Sequence, residues 1–370
     1  MIQFVIRVIL VRKECKMYSL DGKRVLITGG TGSLGKVLLK RVLSGEMGVP
    51  SKVVIFSRDE AKQYFMRTDM LNGTNPTDDI IYKNHRESVN FIIGDIRDYH
   101  SICKAMKDID VIVNAAAMKQ VPTCEYFPHE AVRTNVEGPQ NIINGIRELE
   151  LPVEVVVGVS TDKACKPVNI MGMTKAIQER IFISANIDVP DTRFICVRYG
   201  NVLASRGSVI PFFHEQIMSG GPVTITTPDM TRFLLSLNKA VDTVFSALKG
   251  AKRGETFVPK VKSALIVDIA DALIGDRKIE KKIIGIRPGE KIHEILISEE
   301  EAHRAVDVGD YYSILPILNE LIDPVRSQKR LREEYSSADN VMSKAEVQKM
   351  IVDNELSIGE GDLRGGELLR

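Results

Sequence analysis

A glycine-rich turn near the start of the chain has the residue types and spacing that bind phosphate. In the segment TGGTGSLG, Gly29, Gly32 and Gly35 recur every three residues between an apolar run and a segment of helical periodicity. Glycines allow a tight turn and close approach of a ligand, and the first N–H groups of the following helix can bind a pyrophosphate. The motif alone is weak, but its position between a strand and a helix favours a dinucleotide site over a structural turn. The other residues of the turn expected at the cofactor are Thr31, Ser33 and Leu34.

The residues that end the second apolar run bear on which dinucleotide would bind. Sites that prefer NAD usually carry an acidic residue here for the ribose 2′-hydroxyl. This chain has Ser57 and then Arg58, with Lys62 one turn further on. A guanidinium suits a 2′-phosphate, so the sequence predicts NADP. The neighbouring Asp59 keeps NAD open as the alternative.

Two further segments are expected at the same cofactor. The segment GDIRD offers Asp95 and Ile96 to the adenine. In NAAA, Ala115 and Ala116 are small residues where a strand end must pass close to a dinucleotide. Each of these could equally be an ordinary turn or packing residue, and it is their combination that indicates a binding site.

An alternation of strand and helix patterns would position these residues. Short apolar runs are typical of buried parallel strands, and a segment of helical periodicity follows most of them. Such alternation predicts an α/β fold, namely a Rossmann-type doubly wound parallel sheet with right-handed crossovers. The six predicted strands lie within residues 23–30, 52–59, 89–98, 110–117, 153–161 and 193–201.

The alternation weakens after Asn201, where prolines interrupt the pattern, and a smaller C-terminal substrate-binding lobe is predicted there. The apolar run near the N-terminus is too short to span a bilayer and lacks a signal-peptide cleavage site. It is interpreted either as an extra edge strand or as residues upstream of a usual start near Met17. The predicted divisions are an N-terminal arm (1–20), an NAD(P)-binding domain (21–204), a substrate-binding lobe with some chain returning to the main sheet (205–330) and a polar tail (331–370).

Composition narrows the class of protein further. The 370 residues include 50 Lys and Arg against 49 Asp and Glu, so there is no basic excess that would indicate nucleic acid. The five cysteines are widely spread and form no CxxC pair, which favours reduced thiols in the cytoplasm over disulfides or zinc. His293 and the other histidines show no metal-ligand spacing. The sequence therefore predicts a cytoplasmic protein with no membrane span, no nucleic-acid partner and no metal.

Several longer motifs resemble those of one enzyme family. Together, from about Lys23 to about Pro316, they resemble the extended short-chain dehydrogenase/reductases. More narrowly, they are similar to the UDP-N-acetylglucosamine 4,6-dehydratases of capsule and flagellin-glycan biosynthesis. The resemblance implies a homo-oligomer with tightly bound, recycled NADP. The motifs are TGGTGSLG, NAAAMKQVPTCEYFP, TNVEG, STDKACKPVN, RYGNVLASRGSVIPFF, MTRF and GIRPGEKIHE.

The resemblance implies a reaction in three steps. The sugar is oxidised at C4, water is eliminated across C5 and C6, and the hydride returns to C6 to give a 4-keto-6-deoxy sugar nucleotide. In STDK, Thr161 would hydrogen-bond the C4 hydroxyl, Asp162 would be the acid for the C6 hydroxyl, and Lys163 the base for the C5 proton. Because neighbouring acid and amine groups displace each other's pKa, the acid and base assignments are provisional.

The resemblance also gives roles to the start of the next helix. Lys175 would bond the nicotinamide ribose, and Met171 stands four residues earlier, where many related enzymes have a catalytic tyrosine. A thioether cannot carry a proton. Because a subset of the dehydratases shares this methionine, the substitution implies membership of that subset. Asp162, or a water held by Thr161 and Lys175, would then take the C4 hydroxyl proton.

Further contacts are implied around the two ligands. Lys119 would face the sugar or the nicotinamide, and Asn135 would lie at the cofactor. Arginines suit the substrate pyrophosphate because their planar fork pairs with phosphate oxygens, although each alone could be a surface ion-pair residue. The residues implied at the nucleotide are Asn201, Arg206, Arg232, Arg287 and Glu290.

Three other functions stay open from the sequence. One is a 4,6-dehydratase for a GDP- or CDP-linked amino sugar, and another is a UDP-HexNAc C4-epimerase. The third is a nucleotide-sugar sensor without catalysis, although a sensor has no use for an elimination pair such as Asp162 and Lys163. The configuration at C5, retained or inverted, also stays open.

Overall fold

The computed structural model describes residues 18–72, 88–203, 205, 208–322, 329–359, 362–364 and 367–369. Most of the predicted N-terminal arm, together with Arg206, lies outside these described residues. The strands are β1 (Arg24–Thr28), β2 (Lys52–Ser57), β3 (Val89–Ile93), β4 (Val111–Asn114), β5 (Val155–Thr161), β6 (Arg193–Tyr199), β7 (Asn201–Val202), β8 (Val223–Ile225), β9 (Thr231–Leu235), β10 (Thr256–Pro259), β11 (Ser263–Leu265), β12 (Lys281–Ile283), β13 (Ile295–Ile297), β14 (Ala305–Asp307), β15 (Tyr311–Ile314), β16 (Tyr335–Ser336), β17 (Asp362–Arg364) and β18 (Glu367–Leu369).

The helices follow most of these strands. In the ranges that the structure describes, none of them is both long and apolar enough to cross a membrane. A π-helical turn covers Arg133–Glu137, and 3₁₀ turns cover Asp162–Ala164 and Asn319–Leu321. The α-helices are α1 (Ser33–Leu43), α2 (Glu60–Asn72), α3 (Tyr99–Met106), α4 (Val121–Tyr126), α5 (Pro128–Val132), α6 (Gly138–Glu148), α7 (Ile170–Asp188), α8 (Val209–Met218), α9 (Leu237–Gly250), α10 (Ile266–Ile274), α11 (Glu299–Ala302) and α12 (Lys344–Asp353).

The main sheet confirms the predicted Rossmann-type fold. Its strand order is β14-β15-β10-β6-β5-β4-β1-β2-β3. All neighbours in the part that runs β10-β6-β5-β4-β1-β2-β3 pair in parallel. Strands β15 and β14 close the other edge in antiparallel pairs. The chain order reverses between β1 and β4, and ligands of open α/β sheets bind outside the carboxyl ends of the strands at such a switch point.

Apolar residues on both faces of the strands explain why the sheet is buried. In β1, Val25 and Ile27 belong to the core that includes residues of α1 and α9, whereas Leu26 belongs to the core that includes residues of α3 and α6. All three side chains are at most 1% exposed. Burying each stabilises the fold by about 1.5–3 kcal/mol, so the sheet is a rigid platform for the loops at its carboxyl edge.

A second core lies in the C-terminal lobe. It includes residues of α8, β8, β9 and α10, together with Val347 and Ile351 of α12 and the following Leu356. Helix α12 begins with a capping box between Ser343 and Glu346. The segment predicted as a polar tail thus contributes buried side chains to this lobe, while β10, β14 and β15 return to the main sheet. The boundaries of the four predicted divisions stay a prediction.

Candidate active site

The glycine-rich turn brings the ends of β1 and β4 together. Gly29 has a φ of +64°, and a Cβ there would lie 2.8 Å from the Cα and the backbone N of Ala116. The N–H of Ala115 donates to the carbonyl of Thr28 (3.2 Å). At Gly35 a Cβ would collide with the carbonyl of Gly30, so α1 can approach β1 this closely only with glycine there.

The same turn fits the pyrophosphate of a dinucleotide. Helix α1 begins at Ser33 after Gly32, and no side chain caps its first N–H groups. Thr31 is largely buried in the turn, while Ser33 and Leu34 form the first residues of the helix. Uncapped N–H groups at a helix N-terminus, close to a switch point, are the arrangement that binds a pyrophosphate.

We expect Gly29→Ala to weaken dinucleotide binding at least tenfold, as measured by calorimetry. The left-handed φ costs an L-residue about 1–2 kcal/mol, and the added Cβ would also push Ala116 out of the site. Gly22→Ala is the matched control, because Gly22 has a φ of +68° but a Cβ there would meet nothing within 4 Å. Equal binding by both variants would show that the close approach to Ala116 is not needed.

The end of β2 presents the groups predicted at the ribose. The Ser57 hydroxyl accepts a hydrogen bond from the Gln63 side chain (3.1 Å). The Arg58 side chain is 55% exposed and lies 3.7 Å from Asp95 in a loose ion pair. Lys62 is paired with Asp59 at 2.9 Å. Arg58 is therefore the more accessible of the two predicted cations.

Asp95 is held by an arginine that the sequence analysis did not identify. Arg97 donates to the Asp95 carboxylate through Nε (2.9 and 3.0 Å) and Nη2 (2.6 Å), and also pairs with Glu130. Burial opposes ionisation of Asp95, but the bonds from Arg97 outweigh it and hold the pKa below its ordinary value. Ile96 is buried next to Gly138. This end of the site is therefore a fixed, charged surface.

Asn135, which is predicted to lie at the cofactor, holds the backbone near Lys119. Its side chain is fully buried in the π-helical turn and bonds both the N–H and the carbonyl of Met118 (2.8 and 2.9 Å). It also donates to the Thr174 hydroxyl of α7 (3.0 Å). The amide thus fixes the backbone that carries Lys119, the residue after Met118.

The three residues at the end of β5 form one cluster around a buried carboxylate. The Thr161 hydroxyl donates to Oδ1 of Asp162 (2.9 Å), and the Lys163 ammonium donates to the same oxygen (3.1 Å). Asp162 is fully buried, and its Oδ2 has no hydrogen-bond partner among the described residues. A buried carboxylate normally has partners for its oxygens, so an open Oδ2 is an acceptor available to a ligand.

Glu294, which the sequence analysis missed, completes this cluster. Its Oε1 lies 3.4 Å from Nζ of Lys163 and 3.8 Å from Nε of Arg232. Burial opposes the charge of Lys163, but the carboxylates of Asp162 and Glu294 outweigh it and raise the pKa of the amine. No group of three His, Cys, Asp or Glu side chains that could hold a metal occurs in the part of the chain that the structure describes.

Lys175 is held by its own helix and by β5. Its ammonium donates to the carbonyl of Val159 (2.6 Å) and to the Gln178 side chain (2.7 Å), and burial lowers its pKa to about 8. These bonds use two of its three N–H groups. Met171 is 4% exposed and packs with Cys124 and Ala131, so the thioether forms part of an apolar wall.

The residues predicted at the nucleotide have different environments. Arg232 is buried and donates through Nη1 to the carbonyls of Thr231 (2.7 Å) and Ile292 (3.1 Å). Asn201 carries a buried Oδ1 that has no partner among the described residues. Arg287 is exposed, and Glu290 accepts from the Thr226 hydroxyl (3.4 Å). The structure thus joins Arg232 to the Lys163 cluster, while Arg287 and Glu290 lie in the loop between β12 and β13 that also carries Glu294.

A buried ion-pair network joins the sheet to the segment after β13. Arg198 of β6 donates to Glu179 of α7 (2.6 and 3.0 Å), to Glu301 of α11 (2.7 and 2.9 Å) and to the carbonyl of Leu296 (2.8 Å). Burial opposes ionisation of Glu301, but Arg198 outweighs it and lowers the pKa of Glu301 to about 2. In β5, the residue paired with Arg198 is Ser160, one position before Thr161. The network therefore ties four elements (β6, α7, α11 and β13) together next to the cluster of Thr161, Asp162 and Lys163.

Comparisons with known proteins agree on the fold, but the relatives are named for two different activities. A family described as polysaccharide biosynthesis protein matches residues 25–316. A UDP-N-acetylglucosamine 4,6-dehydratase (inverting) from Campylobacter jejuni is 42% identical over 306 residues, which cover 82% of this chain and 85% of that protein. A UDP-glucose 4-epimerase from Rickettsia bellii is 45% identical over 297 residues, which cover 79% and 82%. The X-ray structure of Pen from Bacillus thuringiensis is 36% identical with a TM-score of 0.80, covering 91% of this chain and 99% of Pen.

Proposed function

The chain belongs to the polysaccharide biosynthesis protein family, and from this premise we propose that it is a UDP-N-acetylglucosamine 4,6-dehydratase that uses NADP. This membership confirms the resemblance to the extended short-chain dehydrogenase/reductases. The observation that carries the proposal is the hydrogen-bonded cluster of Thr161, the buried Asp162 and Lys163 at the carboxyl end of β5. It places an acid and an amine side by side, as an elimination requires.

The chain's own residues account for the proton transfers. When bound, the dinucleotide supplies the oxidation at C4 and the reduction at C6. Asp162 takes the C4 hydroxyl proton, directly or through a water held by Thr161 and Lys175, and passes it to the departing C6 hydroxyl. Lys163 takes the C5 proton through the unprotonated form of its amine, which the raised pKa makes the minor form at neutral pH, and returns a proton to C5 in the last step. Two protons are taken up and two are given back, so the site ends in its starting state.

The proton transfers that each reaction needs distinguish a dehydratase from an epimerase. A 4-epimerase removes and returns hydrogen at C4 alone, so it needs neither an acid at C6 nor a base at C5. The buried Asp162 and the amine of Lys163, 3.1 Å from its Oδ1, are the pair that the dehydratase needs in addition. This pair favours the dehydratase, although the epimerase relative is slightly more similar in sequence.

The direct test is to incubate the protein with UDP-N-acetylglucosamine and NADP and to follow the sugar by NMR. We expect a C6 methyl group to appear, with solvent deuterium at C5 when the reaction is run in D₂O. Inversion at C4 with C6 unchanged would establish the epimerase instead. GDP- and CDP-linked amino sugars tested in parallel would identify the nucleotide, and the couplings of C5 would show retention or inversion.

The preference for NADP depends on Arg58. We expect Arg58→Ala to raise the dissociation constant of NADP about 10- to 100-fold, because a charge-assisted hydrogen bond to the 2′-phosphate is lost, and to change that of NAD less than twofold. Arg67→Ala, at an exposed arginine of the same helix region, is the control. An equal loss for both dinucleotides would contradict a 2′-phosphate contact.

The homo-oligomer would associate through α7. This helix exposes Met173, Ile177 and Ile187, which are between 43% and 48% exposed. Beside it lies an apolar groove of about 450 Å³ that Ile317 and Leu318 also line. Exposed apolar patches of this kind are typical of protein interfaces. We expect Ile177→Glu to lower the mass measured by light scattering, whereas the same change at the exposed Val352 of α12 should leave it unchanged.

A further inference from the structure

Glu294 contacts the cluster of Thr161, Asp162 and Lys163 but has no role in the reaction described above. Its side chain is 3% exposed, although it belongs to the residue type that is almost never fully buried unless paired. Its backbone is fixed by Ser337, whose hydroxyl accepts from the Glu294 N–H (2.9 Å) and whose N–H donates to the Glu294 carbonyl (2.8 Å). The backbone that carries the carboxylate is therefore held in one place.

The position of this carboxylate is defined by Lys163. Oε1 lies 3.4 Å from the lysine Nζ, and Oε2 is buried without a hydrogen-bond partner among the described residues. Asp162 Oδ1 accepts from the same ammonium at 3.1 Å. Lys163 is thus clamped between two carboxylates, each of which has one open oxygen.

We propose that Glu294 is a positioning residue for the elimination, which holds Nζ of Lys163 in place and balances the charge that the amine gains when it takes the C5 proton. This inference rests on the proposed dehydratase function. A lysine side chain has four rotatable bonds, so a single contact to Asp162 leaves Nζ free to swing, whereas two contacts fix it. Asp162 must also give up its negative charge when it carries a proton, and Glu294 then remains as the counter-charge of Lys163.

The charges around Lys163 decide the direction of the expected pH effect. Asp162 and Glu294 are the anions, while Arg232 and Lys291 are the nearby cations that disfavour the ammonium. Removing the negative charge of Glu294 leaves Asp162 alone against two cations. The amine of Lys163 should then lose its proton at lower pH.

The test compares Glu294→Gln and Glu294→Asp with wild type. Competitive acetylation of lysines across pH, read by mass spectrometry of the peptide that contains Lys163, needs no substrate. We expect Glu294→Gln to shift the labelling curve of Lys163 by about 1–2 pH units toward acid, and Glu294→Asp to shift it less because it keeps the charge. Glu299→Gln is the control, since Glu299 is 70% exposed and pairs with Lys166 instead.

A second readout follows the reaction itself. With UDP-N-acetylglucosamine, Glu294→Gln should lower deuterium uptake at C5 at least tenfold although it leaves more of Lys163 as the neutral base, because the amine is no longer held in place. The nicotinamide should still be reduced by C4 oxidation, and Glu294→Asp should restore part of the uptake. An unshifted labelling curve together with wild-type C5 exchange in Glu294→Gln would overturn the inference. If the wild type does not act on this substrate, the proposed function fails, while the labelling curves still decide whether Glu294 sets the charge of Lys163.

Discussion

Asp162→Asn is expected to lower the rate of water elimination by about 10²–10⁴-fold, the contribution of a positioned general acid. The amide keeps the shape of the side chain and its bond from Thr161, but it cannot carry a proton to the C6 hydroxyl. Dinucleotide binding should stay unchanged, because the glycine-rich turn lies on β1 and not on β5. The measurement is the appearance of the C6 methyl group by NMR, combined with calorimetry of the cofactor.

Lys163→Met should abolish deuterium uptake at C5 for a different reason. The thioether fills most of the space of the lysine stem but cannot accept the C5 proton. Lys166→Met is the matched control, because Lys166 lies three residues later and pairs with Glu334 at 3.0 Å on the surface. A Lys163→Met enzyme that still exchanges C5 at the wild-type rate would show that another group is the base.

The largest effect on stability is expected from Arg198→Met. The change removes the guanidinium that pairs with both Glu179 and Glu301, whose side chains are 6% and 11% exposed. Breaking a buried ion pair in this way costs about 3–5 kcal/mol, because a buried charge is left without its partner. Thermal unfolding should show a Tm lower by about 5–10 °C.

The stability that Arg198→Met loses should depend on pH, and the pKa of Glu301 decides the direction of this dependence. In the wild type the pKa of Glu301 is lowered from 4.5 to about 2, so its stabilising contribution is full above about pH 4.5 and is lost as the pH falls toward 2. In Arg198→Met the burial of Glu301 is no longer offset, so this carboxyl should take up a proton more readily. The difference in Tm between the two proteins should therefore be largest above pH 5 and shrink toward pH 3.

The triple variant Glu179→Gln, Arg198→Met, Glu301→Gln provides the control for this network. It removes all three charges and should recover a large part of the lost stability, since neutral groups cost less to bury than unpaired charges. If the triple variant is no more stable than Arg198→Met, the loss comes from the packing of the arginine stem and not from the unpaired carboxylates.

The fold could be predicted from the sequence because its signals are local. Each parallel strand is a short apolar run, and a turn such as the one at Gly29, Gly32 and Gly35 has its whole spacing within one segment. The same holds for Thr161, Asp162 and Lys163, which are adjacent in the chain and therefore meet at the end of one strand. Local patterns are sufficient to place such residues.

The rest of the site depends on contacts between distant segments, which one sequence does not reveal. Glu294 reaches Lys163 across 131 positions, and Arg198 meets Glu301 across 103. Glu294 stands in the motif GIRPGEKIHE, but nothing in its neighbours indicates that its side chain is buried. Asn135 shows the same limit, because an asparagine of a helical segment gives no sign that its amide will bond the backbone at Met118.

The path of the chain between the main sheet and the lobe has a mechanical consequence. After β6 the chain leaves the sheet for β7 to β9 and returns to it with β10. It leaves again for β11 and α10 and returns with β14 and β15. Helix α12 then packs on the lobe. No single cut of the chain therefore separates the two cores, and we expect them to unfold together. A dinucleotide bound at Gly29 would stabilise the native state by RT ln(1 + [L]/Kd), where [L] is its free concentration and Kd its dissociation constant. If the two cores unfold together, the lobe is stabilised by the same amount. We therefore expect dinucleotide binding at the glycine-rich turn to protect the C-terminal lobe as well against unfolding.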